Sequence, residues 1–345
     1  MRDISNFSLL NHNTFGIDAK CKRFLEFDTV EELQQIVSSL TTEDNPLLLL
    51  GGGSNLLLTG DYAGTVIHSS IKGIERMTDE SLMVRCGSGE TWDDVVAYCV
   101  DNNLYGAENL SIIPGEVGAC AVQNIGAYGA EAKDLIFEVE AVEISTGDIV
   151  KFGNKDCEYS YRQSKFKHEW RDKYIITYVT FRMNSTFTPH LDYGNIRSKL
   201  AEMTGADSDK LDGKVTARLV REAIIGIRNE KLPDPKVEGN AGSFFMNPII
   251  DENLFRTLAD KFPDLHYYKI EGTPTRYKIP AGWMIDQCGW KGKTLGKVGV
   301  HGKQALVLVN RGGAKGEDVV NLCNAIRNDV KNKFGIDIYP EVNIK

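Results

Sequence analysis

The sequence predicts an α+β chain of two or three domains. Three observations carry this. Strand-like apolar runs and capped helical stretches alternate irregularly through residues 24–104. The stretch "LLLLGGGSNLLL" at 47–58 reads as a strand, a tight glycine loop and a second strand. A polar shift around 184–214 separates this part from a C-terminal part with helices and strands of its own. At 345 residues the chain can bury a sizeable core.

The elements follow in order. "FLEFD" at 24–28 is a short strand, and "TVEELQQIVSSL" begins a helix with Thr29 and Glu32 in capping-box spacing. "GTVIHS" and "SLMVRCGSG" are strands. "TWDDVVAYCVDNNL" opens a second helix, with Thr91 and Asp94 in a similar arrangement. From 105 to 131 glycine and alanine dominate and no clear period survives, so no stable helix is expected there. "FEVEAVEIS", "TGD" and "IVKF" form a hairpin turning at Thr146–Asp148, and "KYIITYVTFRMN" is a strand. "TARLVREAIIGIRNE" is a helix, 231–248 a long Pro/Gly-rich loop, and "QALVLVN" a strand. In "GEDVVNLCNAIRNDVKNKF", Val319, Leu322, Cys323, Ile326, Val330 and Phe334 share one helical face. "IDIYPEVNI" closes the chain as a strand.

Composition excludes several function classes. The chain is 42% hydrophobic and 26% charged, with a net charge of −8, so it does not attract nucleic acid or a membrane surface by bulk charge. A local cluster of Lys and Arg can still hold an anion. No apolar run approaches the length of a membrane span, and the first residues lack the apolar core and cleavage site of a signal peptide. The seven cysteines are odd in number, scattered and never in Cys-x-x-Cys, as expected of reduced thiols in the cytoplasm. The six histidines have no metal-ligand spacing, so no metal is expected.

The glycine loops are the most informative segments. Gly51, Gly52 and Gly53 permit positive φ and let a ligand touch bare main chain. Successive N–H groups in such a turn form an anion trap, and Ser54 and Asn55 add side-chain donors. A pyrophosphate is the natural guest, and a plain tight hairpin is the alternative. Neither a Walker loop nor a dinucleotide fingerprint fits, because Gly53 is followed by Ser-Asn-Leu. The second stretch, "IPGEVGACAVQNIGAYG", carries Gly115, Gly118, Gly126 and Gly129. It suits a backbone lying flat on a large planar ligand, with Gln123 and Asn124 offering amides to its heteroatoms.

Two such loops, about 60 residues apart, resemble the flavin domain of the vanillyl-alcohol oxidase and p-cresol methylhydroxylase type. The motifs "NTFG", "GGGSNLLL", "IPGEVGACAVQNIGAYG", "YSYRQSKFK", "KLPDPKVEGNAGSFFMNP", "AGWMIDQCGWKG" and the terminal "PEV" occur in order. Together they resemble the UDP-N-acetylenolpyruvoylglucosamine reductase family over nearly the whole chain. "HLDYGNI" is similar to the tyrosine-bearing loop of that family's longer form, which would lay Tyr193 over the substrate.

The resemblance implies a two-lobed FAD-binding domain, with lobes at 1–70 and 71–190. A C-terminal α/β substrate-binding domain would follow at 210–345, its last strand returning to the active site. It implies non-covalent FAD and NADPH, and reduction of UDP-N-acetylglucosamine enolpyruvate for peptidoglycan. A cytoplasmic monomer with small-molecule partners is expected. FAD would rest on Gly51–Asn55, Gly115, Gly118, Gln123, Asn124, Gly126, Ala127 and Tyr128. Tyr193, Lys231, Asn247 and Lys278 match substrate-contacting positions, and Gln287 lies in a motif without an assigned role. The chain departs from the family pattern at Ala121 (often Pro), Gln163 (often Asp) and Met246 (often Lys). The last of these removes a cation near the substrate phosphates.

The chemistry asks for three groups. Hydride addition to the alkene leaves charge that spreads into the carboxylate, so that charge must be bound and one proton delivered. Arg162, after Tyr159 and Tyr161, is the carboxylate clamp that the resemblance suggests; a surface arginine is the plain alternative. Ser243, between flexible Gly239 and Gly242 and anchoring Phe244 and Phe245, is the proton donor, and otherwise a turn serine. Glu341, in an apolar C-terminal strand, is expected to stay neutral and hydrogen-bond the enolate, and otherwise to face solvent. A small-alcohol oxidase on the same fold and a flavin-binding regulatory module are the competing functions. A serine suits the first poorly, and an uncoloured protein that takes up no flavin would favour the second.

Overall fold

The computed structural model describes residues 1–78, 82–211, 213–270 and 272–345. The chain divides into two compact units, neither continuous in sequence. The first comprises Met1–Phe7, Cys21–Gly52 and Ala63–Glu230; the second comprises Ser8–Lys20, Gly53–Tyr62 and Lys231–Lys345.

The first unit holds two sheets. One orders Arg2–Ser8, Lys20–Phe27, Tyr62–Ser69 and Leu47–Leu50. The other orders Ile149–Gly153, Ile136–Glu143, Tyr174–Arg182, Met83–Gly87 and Ile74–Arg76. Leu25, Phe27 and Ile67 of the first sheet share an apolar cluster with Val142 and Ile175 of the second and with Leu33 and Ile36 of the helix Val30–Ser39. The hairpin predicted around Thr146–Asp148 forms in the register Glu138↔Gly153 to Val142↔Ile149, with Gly147 at φ 78° in its turn. The strand predicted at 81–89 is ordered as Met83–Gly87; Ser81 lies outside the described residues.

The two predicted caps differ. Thr29 Oγ1 accepts from Glu32 N at 3.2 Å, but the Glu32 carboxylate accepts from Asp28 N, one residue before the cap. Thr91 makes no side-chain cap on the helix Trp92–Asp101. Its main chain forms a bridge with Glu116, and Trp92 N donates to Gly115 O at 3.0 Å.

The glycine-rich stretch corrects an expectation. Val117–Gln123 is a helix, with Val117, Cys120 and Ala121 buried. A helix of only seven residues is marginal by itself, and the Gly118 in it lowers propensity further, so packing of Val117, Cys120 and Ala121 stabilises it. Gly118 lies on Ser88, where a Cβ would stand 3.0 Å from the serine's own. The polar stretch at 184–214, with Asp212 outside the described residues, contains the helix Ile196–Thr204. Leu191, Ile196, Leu200 and Leu211 pack there with Val220, Ala223, Ile224 and Ile227 of the helix Ala217–Lys231.

In the second unit, a sheet orders Asn240–Ser243, Val307–Asn310, Val298–Val300 and Thr294–Leu295. Another orders Ile249–Asp251, Thr273–Lys278 and Tyr268–Ile270. The helix Gly316–Phe334 buries all six residues of the predicted apolar face. The loop expected at 231–248 gives way to the strand Asn240–Ser243. The predicted terminal strand shortens to Asn343–Ile344; ahead of it Pro340 makes only an isolated bridge, to Phe245, and Ile338 O is taken by Arg327 Nε at 2.9 Å. Among the described residues no helix is long and apolar enough to cross a membrane, and no cluster of His, Cys, Asp and Glu could hold a metal.

Candidate active site

The two strands flanking "GGGSN" are not partners, which removes the tight-hairpin alternative. Leu47–Leu50 pairs in parallel with Thr65–His68, whereas Leu56–Leu57 pairs in parallel with Asn343–Ile344. The glycines serve different ends. Gly53, at φ 63°, lies so close to the main chain of His12 and Asn13 that a Cβ would fall 2.1 Å from His12 O. Asn13, only 6% exposed, holds that N-terminal turn by accepting from Ile17 N and donating to Leu9 O and Ile17 O. Thr14 then joins two stretches of the second unit: its N–H donates to Gly53 O and its hydroxyl to Asn240 O at 2.6 Å. These bonds give "NTFG" its physical role. Gly51 and Gly52 instead lie against the second glycine stretch, where a Cβ on Gly52 would stand 3.5 Å from Gly115 Cα. Two bare backbones side by side fit a diphosphate.

In the first unit, Gly115 has φ 126° and Gly118 is helical. Gln123 ends the helix and accepts from Lys167 Nζ at 3.3 Å. Asn124 adopts the left-handed conformation, φ 43°, and is fully buried. Its amide, expected to face a ligand, is used inside the protein: Nδ2 donates to Glu131 Oε2 and Ser160 O, and Oδ1 accepts from Lys133 N. The residue shapes the turn, and its main chain is engaged as well: its N–H donates to Cys120 O and its carbonyl accepts from Arg162 Nη1 at 3.4 Å. Gly126–Ala127 pairs with Ala130–Glu131 as two-residue strands. Arg162, itself left-handed at φ 58°, donates through Nη2 to Gly126 O at 2.7 Å. Tyr128 packs its ring edge-to-face on Tyr193 at 6.3 Å, and Tyr193 is half exposed. So the structure brings Asn124, Gly126, Arg162, Tyr128 and Tyr193 into one neighbourhood.

Arg228, which sequence reasoning passed over, belongs to the same neighbourhood. Among the described residues its Nε is buried without a hydrogen-bond partner. Burial lowers its affinity for its proton, with Tyr128 acting the other way. An orphaned guanidinium donor beside Tyr128 is what an anionic ligand would satisfy.

In the second unit, backbone bonds set Ser243 and Glu341 on neighbouring segments. Ser243 pairs with Val307 at the end of its strand and is exposed, while Phe244 and Phe245 beside it are buried. Gly242, at φ 68°, makes the bend. Glu341 N donates to Phe244 O at 2.8 Å, Phe245 bridges Pro340, and Asn55 Nδ2 reaches Glu341 O at 3.4 Å. Three distant motifs thus converge within one unit. Glu341 is partly exposed and follows the Pro340 bridge, rather than lying within a regular apolar strand as expected. Asn247 Oδ1 accepts from Ala281 N at 2.9 Å, which orients its amide, and Lys278 lies one residue before Ile279, whose N donates to Pro248 O. Lys231 ends its helix exposed, and Gln287 is exposed as well. Met246, where a lysine is usual, holds Tyr339 O through its own N–H.

A carboxylate also lies against the first glycine loop, and no sequence motif announced it. Glu116 Oε2 would be 3.4 Å from a Cβ on Gly51. His68 stands between Glu116, 3.3 Å from Nε2, and Glu26, 3.1 Å from Nδ1. Burial acts to strip the imidazole of its second proton, but the two carboxylates outweigh it and raise the proton affinity above the ordinary histidine value.

Comparison with known proteins bears on both units. Residues 21–153 match the family model of an FAD binding domain, and residues 234–345 match the C-terminal domain of UDP-N-acetylenolpyruvoylglucosamine reductase. A UDP-N-acetylenolpyruvoylglucosamine reductase from Bacteroides fragilis is 54% identical over 98% of this chain and 98% of its own. One from Flavobacterium johnsoniae is 44% identical over 99% and 98%. Among solved structures, the reductase from Thermus caldophilus superposes with a TM-score of 0.68 at 19% identity, covering 99% of this chain and 98% of that one. A 6-hydroxy-D-nicotine oxidase from Arthrobacter nicotinovorans gives 0.55 at 11% identity, over 97% and 86%, a likeness of fold alone.

Proposed function

This chain belongs to the UDP-N-acetylenolpyruvoylglucosamine reductase family, and we propose how its residues perform the reaction. As a member it is a UDP-N-acetylmuramate dehydrogenase, an FAD-binding oxidoreductase of peptidoglycan precursor synthesis, with the vanillyl-alcohol oxidase type of flavin domain and the family's C-terminal domain. On our reading the electron donor is NADPH, and the substrate is UDP-N-acetylglucosamine enolpyruvate. When bound, FAD would supply hydride chemistry for reduction of the alkene.

The main chain of Gly51–Asn55 and Gly115–Gly118 would hold the diphosphate of FAD, and Gln123–Tyr128 would hold its ring system. Arg162 grips the substrate carboxylate with its fork, and Gly126 O holds the guanidinium in place. As charge grows on the carbon bearing the ether oxygen, Ser243 Oγ gives its proton to that carbon. A free serine is a weak acid, yet the carbanion is far more basic. Glu341 sets its carboxyl group beside the enolate, its segment held by the bond from its N–H to Phe244 O. Tyr193, steadied by Tyr128, covers the substrate as in the longer form of the family, and Lys231, Asn247 and Lys278 contact its polar groups.

The observation that supports this best is the bond from Glu341 N to Phe244 O at 2.8 Å, which holds the proposed acid pair on adjacent backbone. The test follows NADPH oxidation with and without the enolpyruvyl substrate in Ser243→Ala. The flavin should still be reduced anaerobically by NADPH, while substrate turnover falls about a hundredfold or more. Turnover at the unmodified rate would remove Ser243 from the chemistry.

A further inference from the structure

The loop that carries the diphosphate in the reading above has an acid pressed against it. A Cβ on Gly51 would lie 3.4 Å from Glu116 Oε2, and one on Gly52 would lie 3.8 Å from Glu116 Oε1. The Glu116 side chain is only 18% exposed, so water screens it poorly. A carboxylate and a diphosphate sharing such a site repel each other unless a cation stands with them.

His68 is that cation when doubly protonated. Its side chain is 12% exposed, on the strand Tyr62–Ser69. Glu26 of the strand Lys20–Phe27 faces one ring nitrogen, and Glu116, ahead of the helix Val117–Gln123, faces the other. Neutral imidazole has one N–H and can donate to one carboxylate; imidazolium donates to both. Behind Glu26 stands Arg2, 3.1 Å away, and the Phe24 ring stacks on the imidazole at 6.1 Å. With imidazolium, the two cations and two anions of this chain balance. Without its second proton, Glu116 is left as uncompensated charge beside the glycines.

We propose that Glu116 and His68 are positioning residues that set the charge beside the FAD diphosphate, so that the cofactor is held while the imidazole is doubly protonated and loosened when it is not. This rests on the glycine-loop reading above. Since the imidazole's proton affinity is raised, the loosening comes as pH climbs through a midpoint above 6.5.

The experiment measures release of FAD fluorescence from diluted holoenzyme across that range. Release by the unmodified protein should rise about tenfold with pH. Glu116→Gln should release slowly at every pH, and His68→Gln rapidly at every pH. Combining the two should restore slow release, because the offending charge is gone. A flat profile in the unmodified protein, or an unaltered profile in Glu116→Gln, overturns the proposal. Gly52→Val separates the two readings. If it leaves FAD release unchanged, the glycine-loop seat itself is wrong; if it speeds release while the unmodified profile is flat, only the role of His68 and Glu116 falls.

Discussion

Arg162 sits in a backbone region that non-glycine residues seldom occupy, at φ 58°, a strain of order 1 kcal/mol. That backbone delivers the guanidinium to Gly126 O, so the geometry of the side chain is fixed before any ligand arrives. Lysine is equally charged but has no planar fork. Arg162→Lys is therefore expected to lose about 10- to 100-fold in kcat/KM for the enolpyruvyl substrate. Flavin reduction by NADPH, followed by stopped flow, should be unchanged. Equal kcat/KM in the two proteins would show that no bidentate clamp is made there. At this scale a motif singled out Ser243 and Arg162, and their roles are proposals. The sequence was silent about Glu116 and His68, because 48 residues of chain separate them and only the fold brings them within 3.3 Å. It also misjudged the Asn124 amide, since a buried turn competes with a ligand for the same donors.

Elements were legible where local pattern and tertiary packing agree. The helix Gly316–Phe334 follows its apolar spacing because one face meets a core. The helix Val117–Gln123 was illegible because seven residues among glycines show no period, and a helix that short depends on what covers it. Thr91 and Asp94 have capping-box spacing, yet a backbone bridge to Glu116 took precedence. The same contest went the other way at Thr41–Asp44, a single turn that ties its neighbours together. Asp44 accepts from Thr41 N at 2.9 Å, from Arg23 Nη1 at 2.7 Å and from Thr65 Oγ1 at 3.1 Å. Burial works against its charge, but these donors prevail and hold its carboxyl down at about 2. A depressed carboxylate stabilises the fold above its unfolded value of 3.8 and loses that contribution as pH falls toward the folded value. Asp44→Asn should thus cost about 2 kcal/mol at neutral pH, with the gap to the unmodified protein closing between about pH 4 and 2. Urea unfolding across this range is the check; a gap that does not change with pH would assign the effect to lost packing.

The second unit shows what a linear reading cannot supply at the scale of the molecule. Its C-terminal stretch carries the family match at 234–345, but the unit also includes Ser8–Lys20 and Gly53–Tyr62. Those segments complete its core and ladders. Phe15, wholly buried, packs edge-to-face on Phe244 at 6.2 Å, and its carbonyl accepts from Asn310 Nδ2 at 3.0 Å. Asn240 N donates to Thr14 O, Leu56–Leu57 pairs with Asn343–Ile344, and Thr59 N donates to Lys345 O at 2.7 Å. Gly316 opens the long helix so close to Leu58 that a Cβ would stand 1.9 Å from the Leu58 carbonyl oxygen. Contacts over nearly 300 residues of sequence leave no periodic trace, which is why composition and spacing did not reveal them. Their removal has a definite consequence. A fragment of residues 231–345 would expose Phe244 and the backbone of Asn343–Ile344 with no partners to cover them. Such a fragment should show no cooperative transition in thermal or urea unfolding, and should be cut rapidly by protease at conditions where the full chain resists. A cooperative melt from the fragment would mean that its own core suffices, and that the two N-terminal segments pack on a unit already folded.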